Sequence, residues 1–326
     1  MSTPGVETVL ITGATGGIGS AAVRAFADAD YRVAGIDIES AEETAADTLL
    51  TGDLLDPDVV DEAVETSGAD AVVHLGTLPN PSGRPGHVTY RSNAMTTYHV
   101  LEAAANHDVE NVVLASSINA MGASFQEAPM DVRYLPVDEE HPLTPRDPYA
   151  LGKQTIELQA DGFARRLGAP HSIVSVRFPW VGDVDGLREK FVEPDRALSD
   201  LGPGSWATRN DLFAYVARPD AVRLLVSAVE TDVDGHEAVF ASAPDTSVAT
   251  SSERLAEECY PDADVGDLSG TEALLDCSKA RELLGWEAEI SWRDVASDAN
   301  VAAEWQAARR RRQADSETLS RRIAPF

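Results

Sequence analysis

The apolar run Val9-Leu10-Ile11-Thr12 breaks directly into Gly13-Ala14-Thr15-Gly16-Gly17-Ile18-Gly19, and a helix-period pattern follows at once. Few local sequences constrain a fold so tightly. In a GxxGxxG turn between strand and helix, the first glycine permits the sharp bend and the second lets the backbone approach a pyrophosphate. The third allows close packing of helix on strand. The helix N-terminus supplies unpaired N–H groups and a positive potential for the phosphates. Ile18, Ala21, Ala22 and Ala25 fall at i, i+3, i+4 and i+7, which predicts one buried helical face.

The same rhythm continues through the first half. Strand candidates at Thr8–Thr12, Arg32–Asp37, Ala71–Leu75, Asn111–Ser116 and Ser172–Phe178 alternate with amphipathic stretches. Their Val and Ile content suits strands buried on both faces, so the chain reads as α/β with a Rossmann-type doubly wound parallel sheet. After Phe178 the rhythm breaks. Asp183–Gly204 is rich in Gly, Pro and charge, as expected of loops or a lid, and a short strand candidate follows at Ala238–Ala241. Residues 1–178 are therefore expected to form the dinucleotide-binding domain. Residues 179–326 are expected to form mainly a smaller C-terminal substrate lobe, interleaved with the sheet.

Asp37 ends the second strand, where a carboxylate accepts hydrogen bonds from the adenosine ribose and repels a 2′-phosphate, favouring NAD over NADP. Asp53-Leu54, after a third short apolar run and Gly52, suits the flank of an adenine. His74-Leu75-Gly76 closes the fourth strand beside the pyrophosphate crevice. With no carboxylate or cysteine at motif spacing, His74 reads as a packed histidine.

Asp147-Pro148 is a helix start, an acidic cap followed by a proline at the first helical position. Just inside, Tyr149 and Lys153 stand at i and i+4 on one face. The chain has seven Tyr and three Lys, so this spacing would arise by chance only about 0.06 times. A tyrosine becomes a usable base when an adjacent ammonium and an oxidised nicotinamide stabilise its phenolate. Upstream, the strand Val112–Ala115 ends in Ser116-Ser117, followed by Ile118-Asn119-Ala120-Met121-Gly122, which puts hydroxyls at the carboxyl end of a central strand.

Together these pieces resemble the extended short-chain dehydrogenase/reductase family, of the NAD-dependent epimerase/dehydratase type, which includes sugar epimerases, dehydratases and uronate dehydrogenases. The resemblance runs to Ser278-Lys279-Ala280-Arg281-Glu282-Leu283-Leu284-Gly285-Trp286, similar to that family's C-terminal signature. It implies bound NAD and a catalytic set of Ser117, Tyr149 and Lys153, with Ser117 rather than Ser116 chosen by its distance from Gly122. It also implies that Asn93, before a helix Thr96–Ala105, stands on the cofactor side. Lys153 would bond the nicotinamide ribose, and Pro179 would pass the nicotinamide. Two departures stand out. Trp180 lies near the place of an asparagine that helps nucleotide-sugar epimerases hold a diphosphate. The family's RDxxHVxD segment is altered to Leu212-Phe213-Ala214-Tyr215-Val216-Ala217-Arg218-Pro219-Asp220.

These departures favour a pocket for free sugars, as in the uronate and aldose dehydrogenases. The expected reaction is NAD-dependent oxidation of a sugar or sugar acid at its anomeric hydroxyl to a lactone. Asn119, Arg188 and Arg209 are candidates for substrate hydroxyls or a carboxylate. The alternatives are a nucleotide-sugar 4-epimerase, which returns the hydride to its own substrate, and a catalytically silent NAD-sensing regulator.

Charge narrows the partners. Asp and Glu number 55 against 26 Lys and Arg, a net charge of −29, and the only lysines are Lys153, Lys190 and Lys279. Such a surface repels nucleic acid and anionic lipid. It is expected of a halophilic protein, in which salt screens the self-repulsion. The run Arg309-Arg310-Arg311-Arg312 is the exception, a solvated tail or a contact with the acidic body or another subunit. No apolar run is long enough for a membrane span. The N-terminus lacks a signal-peptide pattern, and two cysteines, Cys259 and Cys277, build no disulfide framework or zinc site. A cytoplasmic homodimer acting on a small sugar, without a metal, is the expectation.

Overall fold

The computed structural model describes residues 5–126, 129–192, 197–198 and 206–297. The arginine run at 309–312 lies outside them. The first half threads β1 (Thr8–Thr12), α1 (Gly19–Asp28), β2 (Arg32–Asp37), β3 (Thr48–Thr51), α2 (Pro57–Ser67), β4 (Ala71–His74), α3 (Gly86–Asn106) and β5 (Asn111–Ser117). A 3₁₀ turn at Ile118–Met121 leads to β6 (Tyr134–Leu135), α4 (Pro148–Ala164) and β7 (Ser172–Phe178). The remainder holds β8 (Trp180–Gly182), α5 (Val184–Leu187), a π turn at Arg188–Val192, α6 (Trp206–Asn210), β9 (Tyr215–Ala217) and α7 (Arg218–Val229). It closes with β10 (Gly235–Phe240), α8 (Ser252–Cys259), β11 (Asp264–Val265), α9 (Ser278–Leu284) and α10 (Trp292–Ser297).

Seven strands form one sheet in the order β10-β7-β5-β4-β1-β2-β3, every neighbouring pair parallel. After β3 the chain returns to the other side of β1, so the order reverses between β1 and β4. The crevice at their carboxyl ends is the topological switch point where ligands of such sheets bind. Strand alternation sorts the core. Val9 and Ile11 face a cluster with Phe26, Leu224, Leu225 and Trp286, while Leu10 faces Leu101, Ile156 and Phe163. Apolar clusters thus cover both faces, which accounts for the near-continuous Val and Ile runs. A separate cluster of Ile118, Met121, Phe213, Phe240, Val248 and Leu255 packs the lobe beyond the sheet.

Several elements differ from the sequence reading. The helix expected from Thr96 begins at Gly86 and contains Asn93. Its first turns carry Thr89, Asn93, Thr96 and Thr97 into the interior, so a polar buried face hid it from hydrophobic periodicity. The buried stripe of α1 is Gly19, Ala22, Val23 and Phe26, because the larger side chains turn to the sheet and leave Ala21 and Ala25 at its border. The strand expected at Ala238–Ala241 is β10, Gly235–Phe240, beginning three residues before Ala238 because its first residues pair with β7 along an edge that is only partly buried. The start of the segment expected to be loop, after Asp183, is helical: the Asp183 carboxylate accepts from Gly186 N–H at 2.8 Å and caps α5. Among the described residues, no helix is long and apolar enough to cross a membrane.

Candidate active site

The β1–α1 turn is held by steric necessity. Gly13 has φ +69°, and a Cβ there would lie 2.8 Å from Gly76 N. A Cβ on Gly19 would lie 1.9 Å from the Gly13 carbonyl oxygen, so helix and strand meet at a distance only glycine allows. Gly76 carries the same restriction, since its Cβ would meet Leu54 Cδ1 at 2.4 Å. Gly13, Gly19, Leu54, Leu75 and Gly76 therefore converge at the switch point. The Thr12 hydroxyl oxygen fastens them by accepting from Leu75 N–H at 3.2 Å and Gly76 N–H at 3.0 Å.

Gly16 and Gly17 are exposed, and the N–H groups of Gly17 and Ile18 donate to no acceptor among the described residues. These are orphan donors at an exposed helix start, and they fit a pyrophosphate. Asp37 Oδ2 accepts from Thr15 N–H at 2.9 Å, which sets the carboxylate at the mouth of this turn where a ribose would meet it. Asp53 is exposed, and its Oδ1 accepts from Leu55 N–H at 2.9 Å. The donor set and the glycine cradle fit NAD.

His74 is fully buried, and its hydrogen bonds define its protons. The Thr97 hydroxyl donates to the Asn93 carbonyl at 2.9 Å, so it accepts from His74 Nε2 at 3.1 Å. Nδ1 is then the acceptor, taking the Thr12 hydroxyl at 2.7 Å. Burial, with the Lys153 charge adding, pushes this imidazole down to about 3, which keeps it neutral. Asn93 is fully buried and grips the segment after β4 by both ends. Its Oδ1 accepts from Leu78 N–H at 2.9 Å, and its Nδ2 donates to Leu78 O at 3.2 Å.

Helix α4 is started by Asp147, whose Oδ1 accepts from Tyr149 N–H and Ala150 N–H, each at 2.9 Å. Its buried face then presents Tyr149, Lys153 and Glu157 in successive turns. Lys153 Nζ donates to Ala115 O at 2.6 Å and to Thr77 Oγ1 at 3.0 Å, and lies 5.6 Å from the Tyr149 ring centre. Ser117, the last residue of β5, donates its hydroxyl to Phe178 O at 3.1 Å, which joins it to the strand end preceding the buried Pro179. Ser116 faces the other way, donating to Glu157 Oε1 at 2.6 Å. The same carboxylate receives Arg177 through Nε at 3.0 Å and Nη2 at 2.8 Å. This buried fork ties α4 to β7, and the Glu157 charge acts on Lys153.

Desolvation governs the electrostatics. Burial pushes the Tyr149 phenol up to about 12, with Asp147 and Asp211 adding, while a hydrogen bond with Ser117 pulls it back. Burial also brings Lys153 down to about 7 against the opposing pull of Glu157. Both groups are held toward their neutral forms.

The other sequence candidates separate. Asn119 is buried beside the set, donating through Nδ2 to Ser117 Oγ at 3.1 Å and to Ser124 Oγ at 3.3 Å. Arg188 pairs instead with the exposed Asp185 at 3.3 Å, three residues back on its own turn. The Arg209 carbonyl accepts from the Tyr260 hydroxyl, and its charge bears on Cys259 and Tyr260. Two residues were missed. Asp211 receives the Ser124 hydroxyl and lies close enough to act on Tyr149. Arg218, at the start of α7, is held by Asp183 at 3.3 Å, and its Nη2 is 3.9 Å from where a Cβ on Gly17 would sit. The only sequence signal for either lay in the altered segment around Leu212–Asp220.

Trp180 packs its ring where an asparagine would offer an amide. Its ring meets Phe191 edge-on at 5.3 Å between centroids, and Lys190 Nζ lies 4.0 Å above it.

Comparison with known proteins places these features. The family model for the NAD dependent epimerase/dehydratase family matches residues 9–182. An L-arabinose 1-dehydrogenase (NAD(P)(+)) from Haloferax volcanii is 31% identical over 57% of this chain and 72% of its own length. A uronate dehydrogenase from Pseudomonas syringae pv. tomato is 27% identical over 71% of this chain and 73% of its own. UDP-glucose 4-epimerases match at comparable identity. In fold, a short-chain dehydrogenase/reductase superfamily protein from Agrobacterium tumefaciens, solved with bound NAD, superposes with TM-score 0.66 at 22% identity. The match covers 94% of this chain and 99% of that one.

Proposed function

This chain belongs to the NAD dependent epimerase/dehydratase family, and we propose that within it the protein is a dehydrogenase of free sugars. It oxidises the anomeric hydroxyl of a sugar or sugar acid to a lactone. The turn at Gly13, Gly16, Gly17, Ile18 and Gly19 would hold the pyrophosphate of NAD, with Arg218 beside it. Asp37 would hold the adenosine ribose, and Asp53 and Leu54 would flank the adenine. Lys153, Asn93 and Pro179 would border the nicotinamide end. When bound, NAD supplies the hydride acceptor.

Tyr149 takes the proton of the anomeric hydroxyl through its phenolic oxygen. Ser117 steadies that oxygen as it gains carbonyl character, turning its hydroxyl from Phe178 O to the substrate. Lys153, near its midpoint at neutral pH, passes or holds the proton and lowers the cost of the phenolate. The convergence of Ser117, Tyr149 and Lys153 at the end of β5 carries the oxidoreductase reading. The packing of Trp180 against Phe191 and Lys190 supports a free sugar over a nucleotide sugar. The exposed apolar residues Val88 and Met95 on α3, with Leu151 and Leu158 on α4, support a homodimer.

The experiment is a panel of free aldoses, uronates and UDP-sugars with NAD, followed by NADH absorbance and product analysis. Accumulating NADH and lactone with a free sugar is the expected result. Interconversion of UDP-sugars without net NADH would establish the 4-epimerase instead. Tight NAD binding with no turnover of any member would leave a sensor.

A further inference from the structure

Next to the proposed catalytic set lies a wall of hydrogen-bond acceptors, and proton accounting shows which way it faces. The Ser117 hydroxyl proton goes to Phe178 O, and the Ser124 hydroxyl proton goes to Asp211 Oδ1. Both oxygens must then accept from Asn119, so the Asn119 nitrogen faces them, as its 3.1 and 3.3 Å contacts record. This leaves Asn119 Oδ1 buried, with no hydrogen-bond partner among the described residues. A buried carboxamide oxygen left unsatisfied costs free energy unless a ligand completes it.

Asp211 extends the wall. It follows α6 directly and precedes Leu212 and Phe213, both fully buried with φ of 54° and 56°. Two bulky residues in the left-handed region are costly, and their burial in the lobe core holds the bend that delivers Asp211 to Ser124. Its charge reaches Tyr149 and Tyr260, and Lys190 stands against it. The separation in sequence between Ser124 and Asp211 is 87 residues, so the contact is made only by tertiary packing, in the cluster that joins Met121 and Ala123 to Leu212 and Phe213.

We propose that Asp211 and Asn119 Oδ1 determine specificity by accepting hydrogen bonds from substrate hydroxyls, selecting neutral sugars against uronates and nucleotide diphosphate sugars. This rests on the free-sugar dehydrogenase reading and narrows it. An ionised carboxylate and an amide oxygen can only accept, so the ligand must donate. Sugar hydroxyls donate. A uronate carboxylate or a diphosphate brings further acceptors and further negative charge, leaving both sides unpaired. Burial raises the Asp211 carboxyl to about 6, still charged at neutral pH, while Ser124 and Lys190 oppose that rise.

The test uses stereochemically matched pairs, D-galactose with D-galacturonate and D-glucose with D-glucuronate, on the NAD-loaded protein. The expected ratio of kcat/KM, neutral over acidic, is about a hundredfold, the upper scale for leaving one buried polar group unpaired. Asp211→Asn should compress that ratio at least about tenfold, chiefly through KM for the uronate. Ser124→Ala should move it in the same direction by less. Retained NAD binding shows that each variant is folded. Binding of both members to NAD-loaded Tyr149→Phe, read by tryptophan fluorescence, separates the two ideas. A neutral preference in binding without NADH formation by the unaltered protein would sink the dehydrogenase reading and leave the selection standing. A uronate preference, or an Asp211→Asn variant that lowers both members of a pair equally, would overturn the selection.

Discussion

The cofactor turn and the acceptor wall are built on different principles. At the turn, backbone sterics decide. Gly13, Gly19 and Gly76 sit where any Cβ would collide within 1.9–2.8 Å of backbone or a packed leucine. Its ligand-facing groups are main-chain N–H donors. At the wall, side chains from two remote segments and the Phe178 carbonyl decide, and the geometry depends on which hydroxyl gives its proton to whom. In the proposed reading the turn offers donors to an anion, whereas the wall offers acceptors to its ligand. One chain thus presents opposite chemistry to the two halves of its proposed ternary complex, at either end of one crevice.

The strongest test of this division lies where the two regions meet. Tyr149→Phe keeps the ring and loses the phenolic oxygen, so turnover should fall by about 10²–10⁴ while NAD affinity stays unchanged. Burial raises the phenol, so kcat/KM for oxidation in the parent protein should rise with pH as the base deprotonates, up to a plateau set by how far Lys153 and bound NAD stabilise the phenolate. That limb should vanish in the variant. Steady-state kinetics over a pH series with parallel NAD titration would check both, and near-normal turnover would remove Tyr149 from the mechanism.

Gly19→Ala attacks the turn alone. Its methyl group meets the Gly13 carbonyl at 1.9 Å, and neither backbone segment has a flexible end to yield. Overpacking of this kind costs about 1–3 kcal/mol, so NAD affinity should fall by up to about a hundredfold. Calorimetric titration would read it, and unchanged affinity would show that the turn relaxes more readily than its geometry allows.

Arg218→Gln probes the one place where the division breaks down, a side chain of the second half set beside the main-chain donors of the first. A lost charge-assisted contact at this partly exposed position should weaken NAD and ADP-ribose binding about tenfold. Adenosine, which has no phosphate, should bind as before. Equal weakening of all three would mean that Arg218 supports the fold through Asp183 rather than the pyrophosphate.

The last expected effect is on stability. Asp211 has its carboxyl raised from 3.8 to about 6, so the folded state binds more protons than the unfolded state between those values. Stability from this group is therefore present below pH 4, declines as pH rises to 6, and its loss persists above. Asp211→Asn should raise the melting temperature by a few degrees at pH 7, on the order of 2 kcal/mol, and the gain should disappear toward pH 4. Thermal melts across that range would check it, and a gain independent of pH would point to packing rather than charge.

Much of the sheet was legible from the sequence. The strands at Thr8–Thr12, Arg32–Asp37 and Ser172–Phe178 run as expected, because buried parallel strands announce themselves as continuous Val and Ile runs. Helix α3 was shortened in that reading because its first turns bury threonines and an asparagine, which serve the switch point and erase the apolar period. The resemblance pointed to Asn93, yet its grip on both the N–H and the carbonyl of Leu78 follows from no resemblance or spacing.

What the sequence by itself determined was the cofactor turn and the face of α4. A glycine's steric freedom, a helix cap and an i, i+4 pair act within a few residues, so their consequences follow from order along the chain. The partners of Ser117, Asn119, Ser124 and Asp211 were decided only by the tertiary structure. A hydroxyl can donate once, and which acceptor takes that proton depends on segments 61 and 87 residues away being brought within hydrogen-bond reach. Asp211 therefore gained its place at the site from the lobe that packs Leu212 and Phe213, and no spacing along the chain encodes that.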